Sequence, residues 1–389
     1  MASARARAAA ALLAALLAGC SSAPSLNPLD WFGSKSSGPK MAELPVLSNP
    51  QSIRVLWSAS VGSSGGFVLR PAVVGDGVYV AARDGTVARL DAASGAARWR
   101  VSAGRRLSGG VGSDGVLVAV ATDEGEVIAL DAQTGEVRWR TRVSSEVLAA
   151  PAVGENLVLV RSADSRVFAF GEDDGKRRWV YQRAAAALIV RSPAGVTLDK
   201  GSAYAGFSGG RLVALSLTSG AVRWEATVAV PKGSTELERV TDIVGSLAVE
   251  GREVCAAAYQ GRVGCYDALN GNQIWGRDMS SLTGVAFDSR YAYVSDDNGA
   301  VFAFERSSGR SVWKQDRLAN RGLSRPLPLG TEVAVGDVQG YVHLLARESG
   351  AFVARIATDG SAVRADPVLL PEGFLVQTQN GGLYALSPR

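Results

Sequence analysis

Reactive side chains are scarce in this sequence. Its 389 residues include one His, three Cys and three Met. A lone histidine, His343, excludes a multi-His metal centre and argues against a His-relay hydrolase. Three cysteines are too few for a Cys₄ zinc site. No apolar run is long enough to span a bilayer; residues 8–18, almost wholly Ala and Leu, fall short. No basic tract occurs, and the formal charge is only +4, so nucleic acid is not expected as a partner. The hydrophobic share of 47% and charged share of 20% are those of an ordinary globular chain, long enough for one large domain or two medium ones. What the chain holds in quantity is Gly, 45 residues, and Trp, 8 residues. That pairing asks for a repeated source of tight turns and large buried rings.

The N-terminus reads as a targeting segment. Arg5 and Arg7 precede the Ala/Leu stretch, which ends Leu17-Ala18-Gly19-Cys20. The ending resembles a bacterial lipobox; a plain signal peptide with a chance Cys is the competing reading. The resemblance implies cleavage after residue 19 and acylation of Cys20, with several chains anchoring the protein without a transmembrane helix. Ser21 stands where an Asp typically retains such lipoproteins in the inner membrane. The implied address is therefore the outer membrane, facing the periplasm. Losing Arg5 and Arg7 with the signal lowers the formal charge from +4 to +2. Residues 20–50, rich in Ser, Pro, Gly and Asn, are expected to form a flexible tether. Trp31 lies inside it and follows no pattern.

From residue 51 onward one unit recurs. Trp57, Trp99, Trp139, Trp179, Trp224, Trp275 and Trp313 are separated by 42, 40, 40, 45, 51 and 38 residues. One more step reaches Ala354, where the ring is lost. A cassette precedes most of these rings, in its fullest form Ala129-Leu-Asp131-Ala-Gln-Thr134-Gly135-Glu-Val-Arg-Trp139. Upstream of each cassette, apolar residues near period two flank a turn such as Asp84-Gly85, Glu124-Gly125 or Asn298-Gly299, which marks an antiparallel hairpin. An earlier short strand opens several units, as at Pro71, Pro151, Pro326 and Pro367. Four short strands in about 40 residues are the signature of a propeller blade.

The count of strands predicts how the ring closes. The last hairpin, around Gly381-Gly382, lacks a following Trp strand, whereas Ile53-Arg-Val-Leu-Trp57-Ser-Ala precedes every hairpin. The early strand can complete the last blade and pair the two chain ends. The expected fold is all-β: an eight-bladed propeller of four-stranded antiparallel blades over 51–389. Within each cassette, Gly supplies the positive φ of a tight connection and Asp with Thr or Ser bonds the turn backbone. The Trp rings are expected to lie against the neighbouring blade as structural staples, bonded through the indole N–H. Stacking on sugars or bases is the competing reading.

The cassette is similar to the tryptophan-docking motif of eight-bladed quinoprotein-type propellers. Two families share it: quinoprotein alcohol dehydrogenases, and lipoprotein B of the outer-membrane β-barrel assembly machinery. A lipobox, a short tether and eight compact blades resemble the second. So do the stretches Gly233–Asp242 and Val335–His343. The dehydrogenases commonly carry adjacent cysteines under the cofactor, acidic Ca²⁺ ligands and long roofing insertions; no Cys-Cys pair and no such insertion is present. The resemblance therefore implies no enzyme, no cofactor and no metal. It implies a monomeric scaffold within a hetero-complex, binding the periplasmic POTRA domains of the central assembly subunit. Nascent outer-membrane proteins are a further partner it allows, although no stretch marks a site for them. A ligand-binding or dehydrogenase propeller using its central channel is the runner-up.

Irregular repeats are the place to look for function. The two long intervals put extra residues in 181–195 and 229–243, both leaving an outer Trp strand for the next blade's inner strand, so both on one face. The family contacts its partner through a Leu-x-Leu-Arg motif and an Asp-x-Asp. Here Leu188, Val190 and Arg191 match the first, and Asp242 matches the first Asp of the second. Val244 replaces the other. Arg191 is expected either to pair with Asp242 or to meet the partner; Leu188 and Val190 as simple inner-strand core is the competing reading. Cys255 and Cys265 flank the fifth hairpin. A two-residue turn at Gln260-Gly261 would set Cys255 opposite Tyr266 and disfavour a disulfide. His343 is expected to be a packed or surface side chain, and Asp337 a turn residue.

Overall fold

Eight four-stranded antiparallel sheets follow one another around a ring. The computed structural model describes residues 39–388, except 185 and 187. The expected signal, Cys20 and Trp31 lie outside those residues. Blade one, Ala72–Val74, Gly77–Ala81, Thr86–Asp91 and Ala97–Ser102, sets the pattern that later blades repeat. Blade eight is closed as the strand count predicts. Its strands Val368–Leu369, Phe374–Gln377 and Gly382–Pro388 are joined by Ile53–Ser60, paired from Ile53↔Pro388 to Ser60↔Gly382.

Each cassette builds both a turn and a seam. In the fullest copy, Asp131 Oδ1 accepts the N–H groups of Gln133 and Thr134 at 2.8 and 2.9 Å. Gly135, at φ 76°, then returns its own N–H to the Asp131 carbonyl. The Arg138 guanidinium, with the Thr134 N–H, holds the Asp131 carboxyl down at about 2. Trp139 reaches across to the next blade and donates its indole N–H to the Glu172 carbonyl at 2.7 Å. Its ring lies so close to Gly175 that a Cβ there would sit 2.6 Å from the ring. The other six rings act alike, with Trp57, Trp99, Trp179, Trp224, Trp275 and Trp313 donating to the carbonyls of Ala92, Ala132, Leu217, Ala268, Arg306 and Arg347. The core accordingly runs in slabs between blades: the Trp139 cluster joins Leu117 and Val127 of blade two to Val158 and Phe168 of blade three.

A β-bulge beside every cassette sets the ring's aim. In blade two the register passes from Leu130↔Val137 to Ala129↔Trp139, leaving Arg138 unopposed. The extra residue turns the strand and lets the Trp cover a neighbouring blade instead of its own. Blade seven lacks the ring at Ala354, and the blade it would cover, blade eight, is the one whose chain ends before a cassette Gly. Ring and receiving glycine are lost together.

Residues 42–50, expected in the flexible tether, are instead held to the propeller by hydrogen bonds of Ala42 to Ala319 and Arg321, of Pro45 to Arg355 and of the adjoining Gln51 to Val353. The turn of the fifth hairpin also differs from expectation. The fifth hairpin turns over three residues, Tyr259-Gln260-Gly261, closed by the Ala258 N–H on the Arg262 carbonyl, with Gln260 at φ 48°. One residue more than expected shifts the pairing parity. Cys255 therefore faces Cys265, and the two form a disulfide buried in the slab between blades five and six.

Candidate functional site

The two long connections meet at one carboxylate. The first links the outer strand of blade three, Arg177–Gln182, to the inner strand of blade four, Val196–Asp199. The second links Val222–Thr227 to Ala248–Glu250 of blade five. Asp242, in the second, is 4% exposed and accepts the Val190 N–H from the first at 2.7 Å on Oδ2. Its Oδ1 accepts the Gly209 N–H from the hairpin turn of blade four at 3.2 Å, and its carbonyl accepts the Tyr259 N–H of blade five. One buried residue thus ties a long loop to blade four through its side chain and to blade five through its backbone.

The expected Arg191–Asp242 pair is not what forms. Arg191 turns to Glu146, in the connection between blades two and three, with Nη2 2.9 Å and Nε 3.2 Å from the carboxylate oxygens. Glu146 raises the Arg191 pKa, and the guanidinium lies 5.3 Å from the Phe67 ring centroid while staying more than half exposed. Leu188 and Ile189 are 45% and 41% exposed, ahead of the inner strand, so Leu188 is not core. Beneath them is a pocket of about 130 Å³ lined by Ile189, Val190, Arg191, Glu146 and Arg161. Val244, where a second carboxylate was sought, is buried at 1% and faces the interior.

Two charged residues at this site carry no signal in the sequence. Glu146 lies far from Arg191 along the chain, in a connection of ordinary length. Arg161 sits in the blade-three strand Leu157–Ser162, donates to the Ala194 carbonyl at 2.8 Å and lies over Phe207. Burial pushes its pKa down to about 10, with the Asp242 charge opposing the fall, so it stays cationic at neutral pH. The second loop has its own local order. Glu238 Oε2 accepts the N–H groups of Ser234 and Thr235, and Thr235 Oγ1 accepts the Glu238 N–H, which is a capping box on a single turn. That turn presents Leu237 at 72% exposure.

The second family-like stretch, Val335–His343, builds a buried cluster in blade seven. His343 is packed, with Nε2 3.1 Å from Asp337 Oδ2. Asp337 is a turn residue, accepting the Gln339 and Tyr341 N–H groups, and it also accepts Arg321 Nε at 2.7 Å. Burial works against the Asp337 charge, but His343, Tyr341 and Arg321 together hold its carboxyl below the usual range. Burial depresses the His343 pKa below its ordinary 6.5 despite that carboxylate. The unfolded chain then binds a proton that the folded chain refuses as the pH falls below 6.5. This part of the stability is complete above that pH and is lost on acidification towards the folded value. In urea unfolding, wild type should lose more stability than His343→Asn between about pH 7.5 and about pH 5.5, by up to about 1.4 kcal/mol per pH unit. Equal losses would show that His343 does not titrate on unfolding.

The central channel is a cavity of about 840 Å³ walled by residues such as Val111, Val153, Leu198 and Leu323. Its carboxylate, Asp366, is engaged by Ser246 at 2.7 Å and by Arg70 and Arg325 at 3.6 and 3.8 Å. Among the described residues no three His, Cys, Asp or Glu side chains come together as metal ligands. The donor set of the channel does not suit a calcium–quinone centre.

These features define a class: an eight-bladed, tryptophan-docked propeller whose irregularities are concentrated in two loops on one face. A family model described as outer membrane protein assembly factor BamB matches residues 46–100 and 83–315. The protein of that name from Bordetella pertussis is 45% identical over 92% of this chain and 93% of its own. That from Pseudomonas aeruginosa is 45% identical over 98% of both chains. The crystal structure of BamB from Moraxella catarrhalis superposes with a TM-score of 0.80 at 28% identity, covering 86% of this chain and all of that one. A quinohemoprotein alcohol dehydrogenase from Comamonas testosteroni, at 14% identity and a TM-score of 0.69, shares the fold alone, over 86% of this chain and 76% of its own. The chain belongs to the BamB family.

Proposed function

We propose that this protein is a non-enzymatic scaffold in outer-membrane protein assembly, anchored by lipid on Cys20 after loss of residues 1–19 and facing the periplasm. It docks the POTRA domains of the central assembly subunit, as one copy within a hetero-complex, and assists folding and insertion of outer-membrane proteins. The name its relatives carry supports the process. The surface is the one built by Leu188, Val190, Arg191 and Asp242.

The observation that carries this reading is the Val190–Asp242 hydrogen bond. It fixes the backbone of the first loop against the second, so Leu188 and Ile189 can stay exposed without collapsing into the core. Exposed apolar anchors beside an oriented Arg are the composition of an interface centre. Arg191→Glu places a second carboxylate against Glu146 and reverses the charge offered to the partner. In a calorimetric titration with the POTRA domains it should weaken binding about tenfold or more, about 1.4 kcal/mol, with the fold unchanged by circular dichroism. Wild-type affinity in that variant would remove Arg191 from the site.

A further inference from the structure

Blade seven differs from its neighbours in two ways: its outer strand, Phe352–Ala357, has no docking ring, and its core holds a charge cluster. The N-terminal segment explains both. The Ala42 N–H donates to the Ala319 carbonyl at 2.9 Å, and Arg321 Nη1 donates to the Ala42 carbonyl at 2.9 Å. Arg355 Nη1 donates to the Pro45 carbonyl at 3.1 Å, and Pro45 is buried. The Gln51 N–H donates to the Val353 carbonyl at 2.9 Å. The segment therefore runs antiparallel past the outer edge of blade seven, where the Gln51 N–H fills the Val353 carbonyl.

Arg321 is the bulkiest wholly buried side chain among the described residues. A buried guanidinium is tolerated only when its donors are filled. Nε is filled by Asp337, Nη2 by Gln339 and, among the described residues, Nη1 by the Ala42 carbonyl. Asp337 is in turn braced by His343. Releasing the segment would strand a buried donor, so the cluster favours the docked state.

We infer that blade seven carries a dedicated docking site for residues 42–51, and that this site fixes where the lipid-bearing end leaves the propeller. Ala42 lies at the connection between blades six and seven, on the face that carries the inter-blade loops. The chain thus leaves on the same face as the 188–191 loop. In a ring of eight, blade seven is opposite blade three, from which that loop departs. Only 21 residues separate Cys20 from Ala42, so the anchor tethers the bilayer to the blade-seven rim. The blade-three rim, with the proposed partner loops, is held on the far side. The bilayer part of this inference rests on the proposed anchor at Cys20.

The test uses the mature lipidated protein in phosphatidylethanolamine–phosphatidylglycerol vesicles. With Cys20 acylated and Cys255 bonded to Cys265, introduced cysteines are the labelling sites. A nitroxide at Val46→Cys should give a slow, ordered spectrum, becoming fast in the Ala42→Pro/Pro45→Gly double variant. That variant removes the N–H donor and the buried ring without touching a strand; Arg321→Met should act alike. A fast spectrum in the otherwise native protein would overturn the docking site. Dyes at Ala357→Cys and Val180→Cys report the two rims. Brominated lipid should quench the first more strongly, and the difference should be lost in the double variant. Equal quenching alongside an ordered Val46 label would overturn the orientation. Vesicle flotation that survives Cys20→Ser would overturn the anchor alone, leaving the Val46 spectrum to decide the docking site.

Discussion

Deleting the strand Ile53–Ser60 is expected to abolish the cooperative folded state. That strand is the outermost member of blade eight, and without it Gly382–Pro388 presents a bare edge. The seam between blades eight and one also loses Trp57, whose indole N–H reaches the Ala92 carbonyl at 2.9 Å and whose ring covers Gly95. Every other blade is made from consecutive strands and can order locally. Blade eight alone needs both ends of the chain, so the ring gains its last seam only when those ends meet. Trp57→Ala isolates the ring from the strand. It should keep a single unfolding transition but lower stability by about 3–5 kcal/mol, the usual cost of emptying a large buried site. Urea titrations followed by near-ultraviolet dichroism would distinguish the two. A deletion protein with wild-type cooperativity would show that seven and three-quarter blades close unaided.

The blade count was legible because three independent periodicities coincide: the Trp spacing, the hairpin glycines and the cassette. Closure was legible from one missing strand at the C-terminus and one surplus strand at the N-terminus. The bulge beside each Trp was not, because the unopposed position, such as Arg138, looks like any exposed strand residue. Nor was the disulfide. Whether Cys255 faces Cys265 depends on a single turn residue, Tyr259, which joins Gln260-Gly261 in the turn, with Gln260, a non-Gly residue, at positive φ.

The candidate site was legible in outline for a different reason. Excess length in an otherwise regular repeat must go into connections, so the two long intervals put 181–195 and 229–243 on one face, and the family resemblance picked out Leu188, Val190, Arg191 and Asp242 within them. The partners of these residues were hidden. Glu146 and Arg161 belong to connections and strands of ordinary length, and nothing local says that they converge on the 188–194 loop. Arg321 was equally silent: its role depends on an acceptor, the Ala42 carbonyl, contributed by a segment 279 positions away. Side-chain identity announces chemistry; only the fold announces which distant backbone group needs it.

Asp242→Ala should damage partner binding more than any change to the exposed residues, although Asp242 is itself buried. The substitution leaves the Val190 and Gly209 N–H groups without their acceptor and removes the charge that opposes Arg161's loss of its proton. Each orphaned donor costs about 1–3 kcal/mol, and a hydrogen bond to a charged group is worth about as much. If the 188–191 backbone must be in place before the partner arrives, that sum, about 2–6 kcal/mol, appears as lost affinity of about thirtyfold or more. Asp242→Asn is the informative control. Its amide retains one carbonyl oxygen, so it can accept from Val190 or from Gly209 but not from both, and an intermediate affinity is expected. Hydrogen exchange should show the Val190 amide freed in the Ala variant and partly protected in the Asn variant. POTRA affinities ordered wild type, Asn, Ala, with exchange at Val190 rising in the same order, would tie the interface to this one carboxylate. Wild-type affinity in Asp242→Ala, with the Val190 amide demonstrably freed, would place the interface elsewhere on the ring.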